Sequence, residues 1–68
     1  MFVELTKVDG EGRYPVIVNS ERVMYVVPLD DGNCRLYMNV ADNGGRPHEL
    51  DVVIDYEDLR DVLKAKVL

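Results

Sequence analysis

Apolar and polar residues alternate along most of this chain, and clusters of Gly, Pro, Asn and Asp interrupt the alternation at intervals. Alternation with a period of two is typical of strands that bury one face. The twelve valines favour the same assignment, because β-branched residues pack well on a pleated sheet. The pattern therefore predicts five strands and one C-terminal helix. The strands are expected over residues 2–8, 13–18, 22–29, 34–40 and 49–54, and the helix over residues 56–66.

The turns between the strands predict which residues face each other. Asp31-Gly32 fits a two-residue type I′ turn, in which both central residues need positive φ. Asn43-Gly44-Gly45 fits a three-residue loop with a glycine in the left-handed conformation, and residues 9–12 fit a four-residue loop. Each turn sets apolar residues opposite one another, as a buried face requires. The expected pairs are Leu29–Cys34, Val27–Leu36, Tyr25–Met38 and Val23–Val40, then Met38–Leu50 and Leu36–Val52, and in the first hairpin Leu5–Val16 and Val3–Val18.

Two helical segments complete the predicted elements. The link over residues 18–23 contains no Gly and is too long for a tight turn, so we expect a short helical turn capped by Asn19 or Ser20. Asp55 is the expected N-cap of the C-terminal helix, where negative charge suits the helix dipole. The apolar stripe expected to face the sheet consists of Tyr56, Leu59, Val62, Leu63 and Val67.

These elements predict a mainly β protein of the α+β kind, with a single domain over residues 1–68. Its sheet would be five-stranded and antiparallel, strongly twisted or partly closed, with one C-terminal helix. A chain of 68 residues buries only about 60% of its unfolded surface, so its stability is marginal without disulfides, a metal or a partner subunit. One Cys and one His permit neither a disulfide nor the roughly four ligands of a structural zinc site. A homo-oligomer, by default a dimer, is therefore expected.

Charge excludes several classes of partner. With a net charge of −5, the chain is expected to bind neither nucleic acid nor an anionic membrane surface, because both require basic residues. No apolar run approaches the roughly 20 residues that span a bilayer. The N-terminal residues lack a basic stretch followed by an apolar segment, and a single Cys is typical of a reducing compartment. We therefore expect a cytoplasmic location.

For each side chain that could be chemically reactive, a structural role explains its position better than a chemical role does. Cys34 lies on the predicted inner face, where a small buried hydrophobe is expected rather than a reactive thiol. His48 and Glu49 are strand neighbours that point to opposite faces, so they do not form a metal or acid–base pair. Asp31 and its polar neighbours fit turn chemistry and lack the spacing of a calcium loop. We expect no enzyme activity, no catalytic residue, no metal or other cofactor, and no small-molecule substrate.

The sheet face opposite the predicted core is rich in apolar residues. They are Phe2, Ile17, Met24, Val26, Tyr37 and Val53. An exposed apolar row commonly marks an interface, whereas closure of the sheet or ordinary surface scatter would also account for it. Arg35 lies on the same face and is expected to form a local ion pair with Asp51. The row is the predicted interface, with Met24 and Tyr37 as its anchors.

The opening segment Phe2-Val3-Glu4-Leu5-Thr6-Lys7-Val8-Asp9-Gly10 resembles the start, hydrophobic-x-Leu-Thr-Arg-Leu-Asn-Gly, of the small flagellar-operon proteins of the FlbD family. Residues 16–19 and 23–27 resemble that family's strand–Asn–turn–strand, and residues 52–63 resemble its last strand and terminal helix. The chain departs from the family in its loop over residues 43–48 and in its acidic balance. The resemblance implies a small non-enzymatic accessory or regulatory protein.

Two functions fit these observations. The first is a non-catalytic protein–protein interaction or regulatory accessory module that self-associates. The alternative is a small acidic inhibitor or adaptor, of the kind that phages encode, which binds a basic surface of another protein. Its support is the acidic set Asp51, Asp55, Glu57, Asp58 and Asp61.

Overall fold

The computed structural model describes residues 1–41 and 44–68, and it contains five strands and one C-terminal α-helix. The strands are β1 (Phe2–Asp9), β2 (Gly12–Asn19), β3 (Val23–Pro28), β4 (Cys34–Ala41) and β5 (Pro47–Val52), and the helix is α1 (Tyr56–Val62). All paired strands are antiparallel and belong to one sheet. The mainly β class, the five antiparallel strands and the single C-terminal helix are confirmed.

The strands lie in the order β2-β1-β5-β4-β3, so β2 and β3 are the edges of the sheet. The first hairpin joins the other three strands through β1 and β5, where Lys7 faces Val52. The amide N–H of Val53 donates to the carbonyl oxygen of Thr6 (2.8 Å) at the same junction. No turn connects β1 to β5, so the local sequence gave no signal for this pairing.

The register predicted for the first hairpin is confirmed. Leu5 faces Val16, and Val3 faces Val18. The pairing continues to Asp9 and Gly12, which leaves a two-residue turn rather than a four-residue loop. Gly10, the first central residue of that turn, has a φ of 62°, as a type II′ turn requires.

The register predicted between β3 and β4 is wrong by one residue. Val26 faces Leu36, and Pro28 faces Cys34. The turn has three central residues, because the N–H of Leu29 donates to the carbonyl oxygen of Asn33 (2.8 Å) and the N–H of Gly32 donates to that of Leu29 (3.1 Å). Gly32 takes the left-handed position of such a loop, with a φ of 87°.

This shift changes the face on which each β3 residue lies. The pairs Leu29–Cys34, Val27–Leu36, Tyr25–Met38 and Val23–Val40 are all absent. Val26 packs against the core, and Tyr25 instead faces Tyr37 on the outer face, which we define as the sheet face opposite the core. A bulge at Met24 brings Val23 opposite Met38, so that Val23 also packs against the core.

Between β4 and β5 the predicted faces are right and the predicted partners are wrong. Leu36 faces Leu50 instead of Val52, and Met38 faces His48 instead of Leu50. Ala41 faces Pro47, and an irregularity between Met38 and Ala41 produces the two-residue shift. Gly45 has a φ of 79° in the connecting turn, while Asn43 lies outside the described residues.

The core lies on one face of the sheet and is closed by α1. Its buried residues are Leu5, Val18, Cys34, Leu36, Met38, Leu50, Val52 and Leu59. Leu59 comes from α1, and Leu63, just after the helix, packs against the same cluster. The predicted helical turn is confirmed as a 3₁₀ helix, Ser20–Arg22, in which the Oδ1 of Asn19 accepts from the N–H of Glu21 (3.1 Å).

The C-terminal helix is shorter than predicted, and its apolar stripe is narrower. It ends at Val62, and Lys64 has a φ of 56°. The N–H of Ala65 donates to the carbonyl oxygen of Arg60 and that of Lys64 to Asp61, both at 3.1 Å, which is a Schellman motif. Tyr56 and Val62 are exposed rather than buried, and Val67 lies beyond the helix. Asp55 is the N-cap residue, but its side chain accepts no capping hydrogen bond.

Candidate interaction surfaces

The six predicted interface residues do not form one surface. Phe2 and Ile17 lie on the outer face of β1 and β2, with 70% and 68% of their surface exposed. Phe2 faces Asn19 and Ile17 faces Glu4, which makes Phe2 and Ile17 diagonal neighbours on adjacent strands. Together they form an apolar pair, which we call the Phe2–Ile17 pair.

The other four residues have three different environments. Tyr37 is partly buried on the outer face and stacks on Tyr25, with ring centroids 4.4 Å apart and planes inclined by 15°. Val53 is partly buried just after β5. Val26 packs against the core, so its assignment to the outer face is corrected by the observed register. Met24 is 48% exposed at the β3 bulge.

A groove of about 300 Å³ runs between the edge strand β3 and α1. We call it the β3–α1 groove. Its lining includes Val23, Met24, Val26, Leu59, Arg60 and Leu63. Met24 also lines a second depression of about 200 Å³, together with Met38, Val40 and Pro47. Met24 therefore lies between two concavities, a placement that the sequence did not predict.

The ion pair predicted between Arg35 and Asp51 is confirmed. The two residues face each other across β4 and β5, and the guanidinium donates twice to the carboxylate: Nε to Oδ1 at 2.7 Å and Nη2 to Oδ2 at 3.0 Å. Hydrogen bonding from Arg35 lowers the pKa of Asp51. Asp51 thus occupies both the Nε and the Nη2 donors of Arg35. This arrangement fits a local ion pair better than a site for an outside anion.

Cys34 is fully buried, as the sequence predicted. Its Sγ donates to the carbonyl oxygen of Ile54 (3.3 Å). Burial, and secondarily the charge of Asp55, raises the pKa of the thiol. A thiol in this environment stays protonated at neutral pH and has the properties of an inert core residue.

His48 and Glu49 lie next to each other in β5, and both are exposed. His48 faces Met38 and Glu49 faces Tyr37, so the two side chains point to opposite faces, as predicted. Within residues 1–41 and 44–68, no group of three or more His, Cys, Asp or Glu residues is placed to hold a metal ion. Within the same residues, no helix is both long enough and apolar enough to cross a bilayer.

Acidic side chains cluster around the start of α1. Asp55, Glu57, Asp58 and Asp61 are all exposed. The ion pair found among the described residues is the one between Arg35 and Asp51, so Asp51 is less available than the other four for an outside partner. In comparisons with known proteins, no family model, curated protein or solved structure matches this chain. Function is therefore inferred from surface geometry and charge.

Proposed function

We propose that the protein is a non-catalytic protein–protein interaction or regulatory accessory module that self-associates. The observation that carries this proposal is the balance of apolar residues. Among the described residues, eleven large apolar side chains are exposed, whereas eight apolar side chains are buried. A core of that size gives a small domain a narrow margin of stability, and covering the exposed side chains in a second chain would add to it.

The grouping of these side chains matters more than their number, because apolar residues scattered singly over a surface are normal. Phe2 and Ile17 form one group on the outer face. Met24 and Val40, 48% and 49% exposed, line one depression beside β3, and Tyr25 follows Met24 in the chain. Aromatic residues and Met are enriched at protein interfaces, which favours contact with another protein. The resemblance to the FlbD family implies the same class of non-enzymatic accessory protein.

We also propose that the sheet is strongly twisted or partly closed. Its two edge strands, β2 and β3, are joined by the three residues of the 3₁₀ helix. Four residue steps from Asn19 to Val23 span at most about 14 Å, whereas the edges of a flat five-stranded sheet lie about 19 Å apart. Curvature at this end of the sheet satisfies both distances.

The alternative function is a small acidic inhibitor or adaptor that binds a basic surface of another protein. The exposed acidic residues around α1 favour it, because their charge is not neutralised by ion pairs among the described residues. Binding of this kind would weaken as salt is added, whereas association through apolar side chains would not.

Light scattering and sedimentation over a range of concentrations test the leading proposal. The mass should rise from the 7.8 kDa of one chain towards twice that value between about 1 and 100 micromolar, the range of a modest interface. The rise should persist at high salt, because the contact is apolar. A mass that stays at one chain over the whole range contradicts self-association and places the adaptor function ahead.

A further inference from the structure

We propose that the self-association surface is the β3 side of the molecule, with Met24 of one copy seated in the β3–α1 groove of a second copy and the reciprocal contact made about a two-fold axis. This inference rests on the proposed function and identifies the surface through which the chains associate. A two-fold contact uses the same patch on both copies, so the patch must contain both the inserted side chain and the groove that receives it. The β3 side contains both.

Charge favours a second copy at this surface. Each copy carries a net charge of −5, so two copies repel unless their acidic residues are kept away from the contact. Strand β3 contains no charged residue. Among the described residues, the depression beside Met24 has no charged lining residue, and the charged lining residue of the groove is the cation Arg60. Among the described residues, neither concavity therefore has a negatively charged lining residue that would repel a second copy.

The Phe2–Ile17 pair is a poorer surface for self-association. Glu4 lies directly opposite Ile17 and is exposed on the same face. A two-fold contact centred on this pair would bring Glu4 of both copies close together in a partly desolvated contact. Like charges at such a distance weaken association.

The shapes of the Met24 side chain and of the concavities beside it also favour the β3 side as the self-association surface. Met24 is about half exposed and lines both the groove and the depression beside it. The Met side chain is unbranched and flexible, so it fills irregular apolar spaces well. The apolar lining that it would meet in the partner includes the partly buried Val23, Val26 and Leu63.

The contact is made by side chains, because the β3 edge is a poor template for a further strand. The hydrogen bond from Leu29 to Asn33 sets the alternation of the ladder, so Tyr25 and Val27 bond to β4 while Val26 and Pro28 point their backbone groups outwards. Pro28 has no N–H to donate, and the bulge at Met24 interrupts the edge. Bulges and prolines on edge strands prevent pairing with another chain.

The first experiment compares Met24→Glu with Ile17→Glu. Both residues are exposed apolar positions on strands, but only Met24 belongs to the proposed contact. A charge placed in the contact should raise the dissociation constant by about 30-fold or more, the range of an anchor residue. Ile17→Glu should leave the dissociation constant within about threefold of wild type. A dimer that Met24→Glu leaves intact and Ile17→Glu disrupts overturns this surface and leaves the proposed function standing.

A second experiment reads the geometry directly by disulfide formation between copies. Cys34 is the sole cysteine and is fully buried, so it should not compete with the introduced cysteines for disulfide formation. A Met24→Cys chain mixed with a size-tagged Ala65→Cys chain should form a mixed disulfide under mild oxidation, because Ala65 lines the groove. Ile17→Cys mixed with the same Ala65→Cys chain should not. A dimer in which the Ile17→Cys pair cross-links and the Met24→Cys pair does not would overturn the proposal, and a chain that is monomeric throughout would overturn the proposed self-association as well.

Discussion

At the scale of single residues, the C-terminal end of α1 carries a backbone strain that one substitution should relieve. Lys64, with a φ of 56°, is the non-glycine residue with positive φ in the described chain. It occupies the C′ position of the Schellman motif, where glycine is the usual residue. Left-handed backbone costs a residue with a Cβ atom roughly 1–2 kcal/mol, whereas glycine adopts it freely.

Lys64→Gly should therefore raise the free energy of unfolding by about 1 kcal/mol, after allowance for the greater chain entropy of glycine in the unfolded state. Chemical denaturation monitored by circular dichroism measures this change. Lys66→Gly is the matched control, because Lys66 is also exposed but has no positive φ, and it should not stabilise the protein. Equal effects of the two substitutions would show that charge, not backbone strain, is responsible.

The thiol of Cys34 should react slowly with a thiol reagent in the native protein and rapidly in denaturant. Burial raises its pKa, and the thiolate is the reactive form. Because the folded pKa lies above the unfolded value, the resulting stability is present below the unfolded pKa and is lost as the pH rises through the folded one. Labelling followed by mass spectrometry at neutral and alkaline pH measures both effects. Rapid labelling at neutral pH without denaturant would contradict the observed burial.

At the scale of elements, the predictability of each hairpin depended on how strongly its residues alternate. In β1, apolar and polar residues alternate from Val3 to Thr6, and the register of the first hairpin was predicted correctly although β2 contains an apolar run from Tyr14 to Val18. In β3, five successive residues from Val23 to Val27 are uncharged and largely apolar, so the pattern fits either register. The turn then decides, because the Oδ1 of Asp31 accepts from the N–H of Asn33 (2.9 Å) within a three-residue loop. Asp31 is visible in the sequence, but Asp31-Gly32 fits a two-residue type I′ turn as well as it fits this three-residue loop.

Glycine should be required at position 32 because of the backbone conformation of this turn, and not because a side chain there would clash. Its φ is 87°, and a Cβ atom placed on it would meet nothing within 4 Å. Gly32→Val should therefore lower the free energy of unfolding by roughly 1–3 kcal/mol through backbone strain. Gly32→Asn should cost less, because Asn tolerates the left-handed region better than β-branched residues. Denaturation of the two variants tests this ranking, and a Val variant as stable as the Asn variant would contradict it.

At the scale of the whole molecule, the sequence predicted the strands but not how they assemble. The β1–β5 pairing joins segments about 45 residues apart, and no turn or motif encodes it. The predicted interface failed as a single surface for the same reason, since the register of β3 and the order of the strands decide which residues become neighbours. The alternation of β4 and β5 predicted their buried faces correctly, because a shift of two residues preserves the face.

The last prediction concerns the attachment of α1 to the sheet, which depends mainly on one side chain. Leu59 is 1% exposed, whereas Val62 is 36% exposed. Leu59→Ala should lower the free energy of unfolding by about 2–5 kcal/mol, which is comparable to the roughly 5 kcal/mol at the lower end of domain stabilities. Val62→Ala, the matched control, should change it by about 0.5 kcal/mol or less.

Thermal melting at two protein concentrations distinguishes the role of α1 in the fold from its role in association. Leu59→Ala should abolish or strongly lower the cooperative transition at both concentrations, and removal of residues 56–68 should have at least the same effect. In the wild type, the midpoint should rise with concentration, because association stabilises only the folded chain. A Leu59→Ala protein that melts cooperatively at an unchanged temperature would show that the sheet is stable without α1. In that case the packing of α1, which forms one wall of the β3–α1 groove, would not be part of the core that stabilises the protein.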